Sequence, residues 1–240
     1  MRSSNASSTS RLVLEISGVE EATLLARPNR FTAVLEAAGR EFTCHIHDPG
    51  RIPALRPGTR VLYKRAWRPG RRTSCDLVAF YDNDMLVLED TRLPNKLFEK
   101  VIPLIYGGAS YERERQILGS RFDFIVSVGN SVRIVEVKAT NYAVGPIALW
   151  PDAPSKRGLK HVETLRMLRL QGFEAELAIL ALRGDVEAIA PNGRADPLLA
   201  RSLCIALEAG VAVRGLRFSA ERAGDKLRIM FSGTIPFRCA

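Results

Sequence analysis

The residues best suited to chemistry lie in one short stretch, Arg121–Lys138, which reads RFDFIVSVGNSVRIVEVK. Gly129-Asn130 separates two β-branched runs, the signature of a two-residue hairpin. With Val128 facing Ser131, counting back along both strands sets Asp123 opposite Glu136. Such pairs stand about 4.5–5.5 Å apart at Cβ, and like charges there destabilise the sheet unless something compensates. Strand alternation puts Lys138 on the face of Glu136. A divalent cation, Mg²⁺ or Mn²⁺, is a natural compensator, since Mg²⁺ takes one or two carboxylates together with waters and phosphate oxygens. A lysine beside it can position or deprotonate an attacking water, or steady developing charge. This is a kit for metal-assisted phosphodiester hydrolysis. The alternative is a surface hairpin with a structural Lys–Glu pair. The rest of the hairpin is mostly apolar and a basic helix follows, which favours the site.

Two flanking segments extend the pattern. In Tyr111–Gln116 (YERERQ), Glu112 and Glu114 share one face of a strand, and Glu114 either completes the acidic cluster or belongs to a charged edge strand. In Trp150–His161 (WPDAPSKRGLKH), Lys156, Arg157, Lys160 and His161 gather at a helix start. Cations there oppose the helix dipole, so phosphate contact explains them better than stability does. A solvated basic turn is the bland alternative. Ser155 reads as a helix cap rather than a nucleophile.

The elements that must position these residues fall into two groups. From Leu12 to about Phe80 the chain reads as short strands with close turns, including Phe31–Leu35, Glu41–Ile46, Arg60–Ala66 and Cys75–Tyr81. That spacing suggests a small barrel, with an oligonucleotide-binding (OB) barrel among the candidates. Its basic residues outnumber its acids, so one face could track a phosphate backbone; Phe31, Phe42, Tyr63 and Trp67 are each expected in its core, with a stacking platform for bases as the alternative. Beyond it Met85–Leu88 reads as a strand, Asn95 as the cap of a helix over Lys96–Leu104, Ser155–Gln171 as a helix closed by Gly172, and Asp196-Pro197 as a helix start closed by Gly210. The order helix, three strands, helix, strand, helix, strand indicates a mixed α/β domain.

Composition agrees. The 240 residues are 46% hydrophobic and 25% charged, ordinary for a globular protein, and the net charge of +9 attracts polyanions. No apolar run is long enough to cross a membrane. Cys44, Cys75, Cys204 and Cys239 form no CxxC pair, which disfavours zinc. With a polar start, MRSSNASSTS, reduced thiols in a cytoplasm are expected.

The chain also resembles the sugar fermentation stimulation protein A family, through HDPGRIPALRPGTRV at 47–61, TRLPN at 91–95, ERERQILGSRFDF at 112–124, VEVKAT at 135–140 and LWPDAPSKRGLKHVETL at 149–165. The Ser-rich residues 1–10 read as a flexible N-terminus; the resemblance implies an N-terminal OB-like barrel, placed over 11–82, and a PD-(D/E)xK, restriction-endonuclease-like α/β domain with a mixed central sheet, placed over 83–240. Carried over, Asp123 and Glu136 are the metal-binding acids, joined by the backbone carbonyl of Val137. Lys138 is the motif lysine and Glu114 the accessory acid. Arg51, Arg121, Lys156, Arg157, Lys160 and His161 are the expected nucleic-acid contacts. The implied partner is nucleic acid, DNA before RNA, with no membrane; a homodimer is left open. Two functions compete: a metal-dependent nuclease, and a non-catalytic DNA-binding regulator of sugar utilisation on the same fold. A basic scaffold for an acidic partner is a third.

Overall fold

The computed structural model describes residues 10–48, 50 and 52–239. Arg51, from which a phosphate contact is expected, lies outside them, as do residues 1–9.

Seven strands precede the first helix: β1 (Arg11–Ser17), β2 (Val19–Asn29), β3 (Thr32–Ala37), β4 (Arg40–His45), β5 (Arg60–Arg65), β6 (Cys75–Asp82) and β7 (Met85–Leu88). Strands β2 to β6 make a closed barrel in the order β4-β3-β2-β5-β6, shut by parallel pairing of β4 with β6 at Cys44↔Cys75 and His45↔Asp76. Closure removes the open strand edges. Alternation fills the interior: Ala33 and Leu35 of β3 point inward beside Leu24, Ile46, Leu77 and Phe80.

The second unit comprises α1 (Leu93–Tyr106), β8 (Ser110–Ile117), β9 (Ser120–Val128), β10 (Ser131–Thr140), β11 (Ala143–Val144), β12 (Ile147–Trp150), α2 (Lys156–Leu170), β13 (Glu174–Ala181), β14 (Ala188–Pro191), α3 (Pro197–Glu208), β15 (Ala212–Ala223) and β16 (Lys226–Ile235). Its main sheet runs β1-β16-β15-β13-β10-β9-β8. The β10–β13 and β13–β15 pairs are parallel and the rest antiparallel, so the sheet is mixed, as expected. Strand β13 is buried from Ala175 to Ala181, which is why its sequence from Leu177 onward is a continuous apolar run without alternation. Helices α2 and α3 cover one face around Leu165, Leu177 and Leu203. Helix α1 covers the other, where Leu97 and Phe98 meet Leu62, Val78 and Leu86 from the barrel side, so one apolar core joins the two units.

Three expectations are corrected. Strand β1 does not belong to the barrel: it pairs antiparallel with β16, from Arg11↔Phe231 to Ser17↔Lys226, and Leu14 and Ile16 pack on the α1 core. Strand β7 stays with the barrel sheet, because a tight turn with Asn83 at φ 55 returns it onto β6. The four cysteines are not free thiols: Cys44 is bonded to Cys75 and Cys204 to Cys239. Among the described residues, no helix is long and apolar enough to cross a membrane.

Candidate active site

The hairpin register runs as expected from Ser131↔Val128 to Val135↔Phe124 and stops there, one pair short of the expected match of Asp123 with Glu136. Phe124 and Val126 pack on the α1 side of the sheet while Phe122 packs on the α2 side, so β9 rolls over at Asp123. Glu114, level with Asp123 in the neighbouring β8, has φ 58. At the roll, side chain substitutes for backbone: the Val137 N–H donates to Asp123 Oδ2 at 2.8 Å. Asn95 donates its side-chain amide to Asp123 Oδ1, also at 2.8 Å. Asn95 is therefore not the cap of α1. The helix begins two residues earlier, at Leu93, with Pro94 in its first turn, and the amide is left to reach the strand.

Glu136 is 1% exposed. Its Oε1 contacts both Lys138 Nζ and His161 Nδ1, and those two nitrogens are 3.5 Å apart. Its Oε2 is buried with no hydrogen-bond partner among the described residues. Burial pushes the Glu136 carboxyl up, but the His161 hydrogen bond and the Lys138 charge outweigh it and hold the group below the usual carboxylate range. Asp123 goes the other way: burial and then the Glu136 charge raise it, against the Val137 and Asn95 hydrogen bonds. Two acids in one site pulled in opposite directions is the pattern of an electrostatically shaped centre.

These residues wall a cleft of about 520 Å³ where the two units meet. Arg92, Lys96, Arg113 and Arg157 supply cations; Asp48, Glu89 and Asp152 form an acidic wall. Burial, then the Asp48 charge, lifts Asp152 to about 6. Burial also raises Asp48, and raises Glu89 well above the carboxylate range.

Not every expected site residue joins the cleft. Arg157 does, while Lys156 is exposed at the start of α2, which Ser155 caps by accepting from Gly158 N at 2.9 Å. Lys160 is exposed and donates to the Gly119 carbonyl at 2.9 Å. His161 is only 4% exposed and lies under Glu136. This burial does not fit the phosphate contact expected of it, because α2 turns that face into the sheet. Glu114 points away: it is exposed and 3.7 Å from Arg121, the expected nucleic-acid contact, and neither lines the cleft. Its neighbour Arg113 does line it. Alternation separates Glu114 from Arg113, but sequence alone does not say which face the cleft takes. Asn95 carries a sequence signal as the last residue of TRLPN at 91–95, but its capping propensity points to a helix start and not to the strand that its amide reaches.

Comparison with known proteins agrees with this architecture. The family model described as "Sugar fermentation stimulation protein RE domain" matches residues 92–224, and "SfsA N-terminal OB domain" matches 25–89. A sugar fermentation stimulation protein homolog of Thermotoga petrophila is 35% identical over 193 residues, covering 80% of this chain and 85% of that one. The Saccharolobus solfataricus homolog is 36% identical over 217 residues, covering 90% and 84%. A solved structure, Pyrococcus furiosus SfsA in complex with Ca²⁺, superposes with a TM-score of 0.84 at 28% identity and covers 95% of this chain and 99% of that one. The chain belongs to the sugar fermentation stimulation protein (SfsA) family, with its OB barrel and RE domain.

Proposed function

We propose that the chain is a divalent-metal-dependent nuclease, acting on DNA or RNA in the cleft walled by Asp123, Glu136 and Lys138. The observation that carries this is Glu136 Oε2, buried and unpartnered among the described residues, near a second, half-buried carboxylate, Asp123. A buried acceptor left unsatisfied costs free energy, and a hard cation fits the oxygen donors on offer. Mg²⁺ or Mn²⁺ would be held by Asp123, Glu136 and the backbone carbonyl of Val137. Bound there, it would polarise a phosphoryl oxygen and acidify a water. Asn95 and the Val137 N–H fix both oxygens of Asp123, and His161 fixes Glu136. Lys138 reaches the same carboxylate from the cleft wall, placed to orient a water or to steady negative charge on the phosphate. Arg113 and Arg157 line the phosphate path. The Ca²⁺ named with the Pyrococcus furiosus relative supports a divalent-cation site.

The second reading, a DNA-binding regulator that does not cut, is favoured by one observation: Glu136 Oε1 is already engaged by Lys138 and His161 of the chain itself. Plasmid, single-stranded DNA and RNA incubated with Mg²⁺ or Mn²⁺, with and without EDTA, separate the two. Cleavage that EDTA stops is expected; retention of nucleic acid with no cutting in either metal favours the regulator.

A further inference from the structure

We propose that Asp48, Glu89 and Asp152 form a base-reading pocket in the cleft, which takes the exocyclic amino group of an adenine or cytosine beside the phosphate at Asp123 and Glu136. This rests on the nucleic-acid reading of the cleft and adds to it a base preference.

The three acids come together from distant places in the chain. Asp48 follows β4 in the sequence HDPG, Glu89 follows β7, and Asp152 follows β12 in the sequence WPDA. Gly50 lets two of them converge: a Cβ there would stand 1.8 Å from Asp152 Oδ2 and 2.8 Å from Asp48 Oδ1. Carboxyl groups that close repel one another when both are ionised. The Asp48 N–H donates to Glu89 Oε1 at 3.0 Å and fastens the third acid to the same segment. All three line the cleft that also holds Asp123 and Glu136.

The pocket lacks donors. Glu89 is 1% exposed, and its Oε2 has no hydrogen-bond partner among the described residues. Asn141, directly after β10, donates its amide to Asp48 Oδ2 at 3.3 Å, and its own Oδ1 is likewise buried and unpartnered. Arg27 acts on Asp48 and Glu89 through space, but among the described residues no lysine or arginine is in ion-pair contact with any of the three acids. Buried acceptors left unmet cost free energy, which an arriving N–H recovers. The three acids are not arranged as a metal cage.

Nucleic acid offers such an N–H in one place. Within a DNA strand only the bases carry hydrogen-bond donors, while the phosphates are repelled by acids and drawn to Arg113 and Arg157. A base therefore turns to the acidic wall when its phosphate follows the basic one. Burial and crowding raise all three carboxyl groups, and a carboxyl that keeps its proton donates one O–H and still accepts. A pocket with both a donor and acceptors matches an amino group beside an unprotonated ring nitrogen, the edge of cytosine and of adenine. Thymine, uracil and guanine place a carbonyl oxygen where that amino group would be. A site built around a hydrogen bond rejects the analogue that lacks it.

The full-length protein is titrated with labelled DNA oligonucleotides in matched pairs: oligodeoxycytidylate against oligodeoxyuridylate, and oligodeoxyadenylate against oligodeoxyinosinate. Within each pair an amino group is exchanged for a carbonyl oxygen. Anisotropy is read in Ca²⁺ and in EDTA. The amino member of each pair should bind about five- to a hundredfold more tightly in one or both conditions. Asp152→Asn and Glu89→Gln should each lose most of that ratio while keeping the parent's circular dichroism and at least the weaker member's affinity. Base preference can also arise on the barrel, where Phe31 and Trp67, expected in the core, are 40% and 86% exposed. A ratio that survives in both variants places it there and overturns the proposal. Equal affinities within both pairs overturn it too, as does calorimetry in which Asp152→Asn removes a bound Mn²⁺, since the pocket is then a cation site. Failure of every strand to bind sinks the nucleic-acid reading and the pocket with it, whereas binding without discrimination removes the pocket alone.

Discussion

Asn95, in the first turn of α1, donates to Asp123 Oδ1 across 2.8 Å, while the Val137 N–H occupies the other oxygen of the same carboxylate. Both oxygens are therefore oriented before any cation arrives. Outer-shell partners of this kind typically contribute 10–100-fold to metal affinity. Asn95→Ala should weaken Mn²⁺ binding by about that factor in calorimetric titration, and Asp123→Ala and Glu136→Ala should abolish it. An Asn95→Ala protein that binds Mn²⁺ like the parent would show that the amide merely fastens the helix to the strand.

Lys138 tests the chemistry apart from the binding. It is partly exposed at the cleft wall, with a side chain 19% accessible, so its truncation leaves no large cavity. Lys138→Ala should lose cleavage while keeping its circular dichroism spectrum and most of its affinity for nucleic acid. A variant that cuts at the parent rate would remove Lys138 from the mechanism.

Asp152 makes stability depend on pH. Burial and the Asp48 charge raise its pKa from 3.8 to about 6 in the folded chain. Between those values the folded state holds the proton more tightly than the unfolded state. Its contribution is therefore full below the unfolded pKa and lost as pH rises through about 6. Asp152→Asn cannot ionise and should escape that loss. Thermal melts from about pH 4 to about pH 8 should show the variant gaining on the parent as pH rises. Parallel curves would mean that Asp152 titrates normally.

The two disulfides join residues 31 and 35 apart in sequence. Loops of that size imply about 3–4 kcal/mol of stabilisation each by the chain-entropy argument. Reduction of either should lower the melting temperature by roughly ten degrees for a chain this long. Thiol counting under native and denaturing conditions gives the check: four free thiols before reductant is added, and no shift after it, would contradict the pairing.

The centre of the site was legible because it depends on local rules. A Gly-Asn turn fixes a register, and a period of two then fixes which residues share a face, so Asp123, Glu136 and Lys138 could be gathered before any fold was known. The Ser155 and Asp196 caps were legible for the same reason. What failed needed knowledge of what covers each face. Alternation separates Glu114 from Arg113, but only the packed structure shows that the cleft is on the arginine's side. His161 sits in a basic run that reads as surface, until α2 is laid on the sheet and buries it against Glu136. The β1–β16 pairing and both disulfides are contacts between distant residues, and neither leaves a mark in a window of neighbours.

The β1–β16 pairing also has a consequence in time. Arg11 lies against Phe231, so β1 leaves a ribosome about 220 residues before the strand it pairs with. At ~5–20 residues per second that interval is on the order of ten to forty seconds. The barrel, whose strands are all neighbours in sequence, can close during the wait, and the sheet bearing Asp123 and Glu136 gains its outermost strand last. Translation order thus lets the OB barrel form ahead of the completed sheet that carries Asp123 and Glu136.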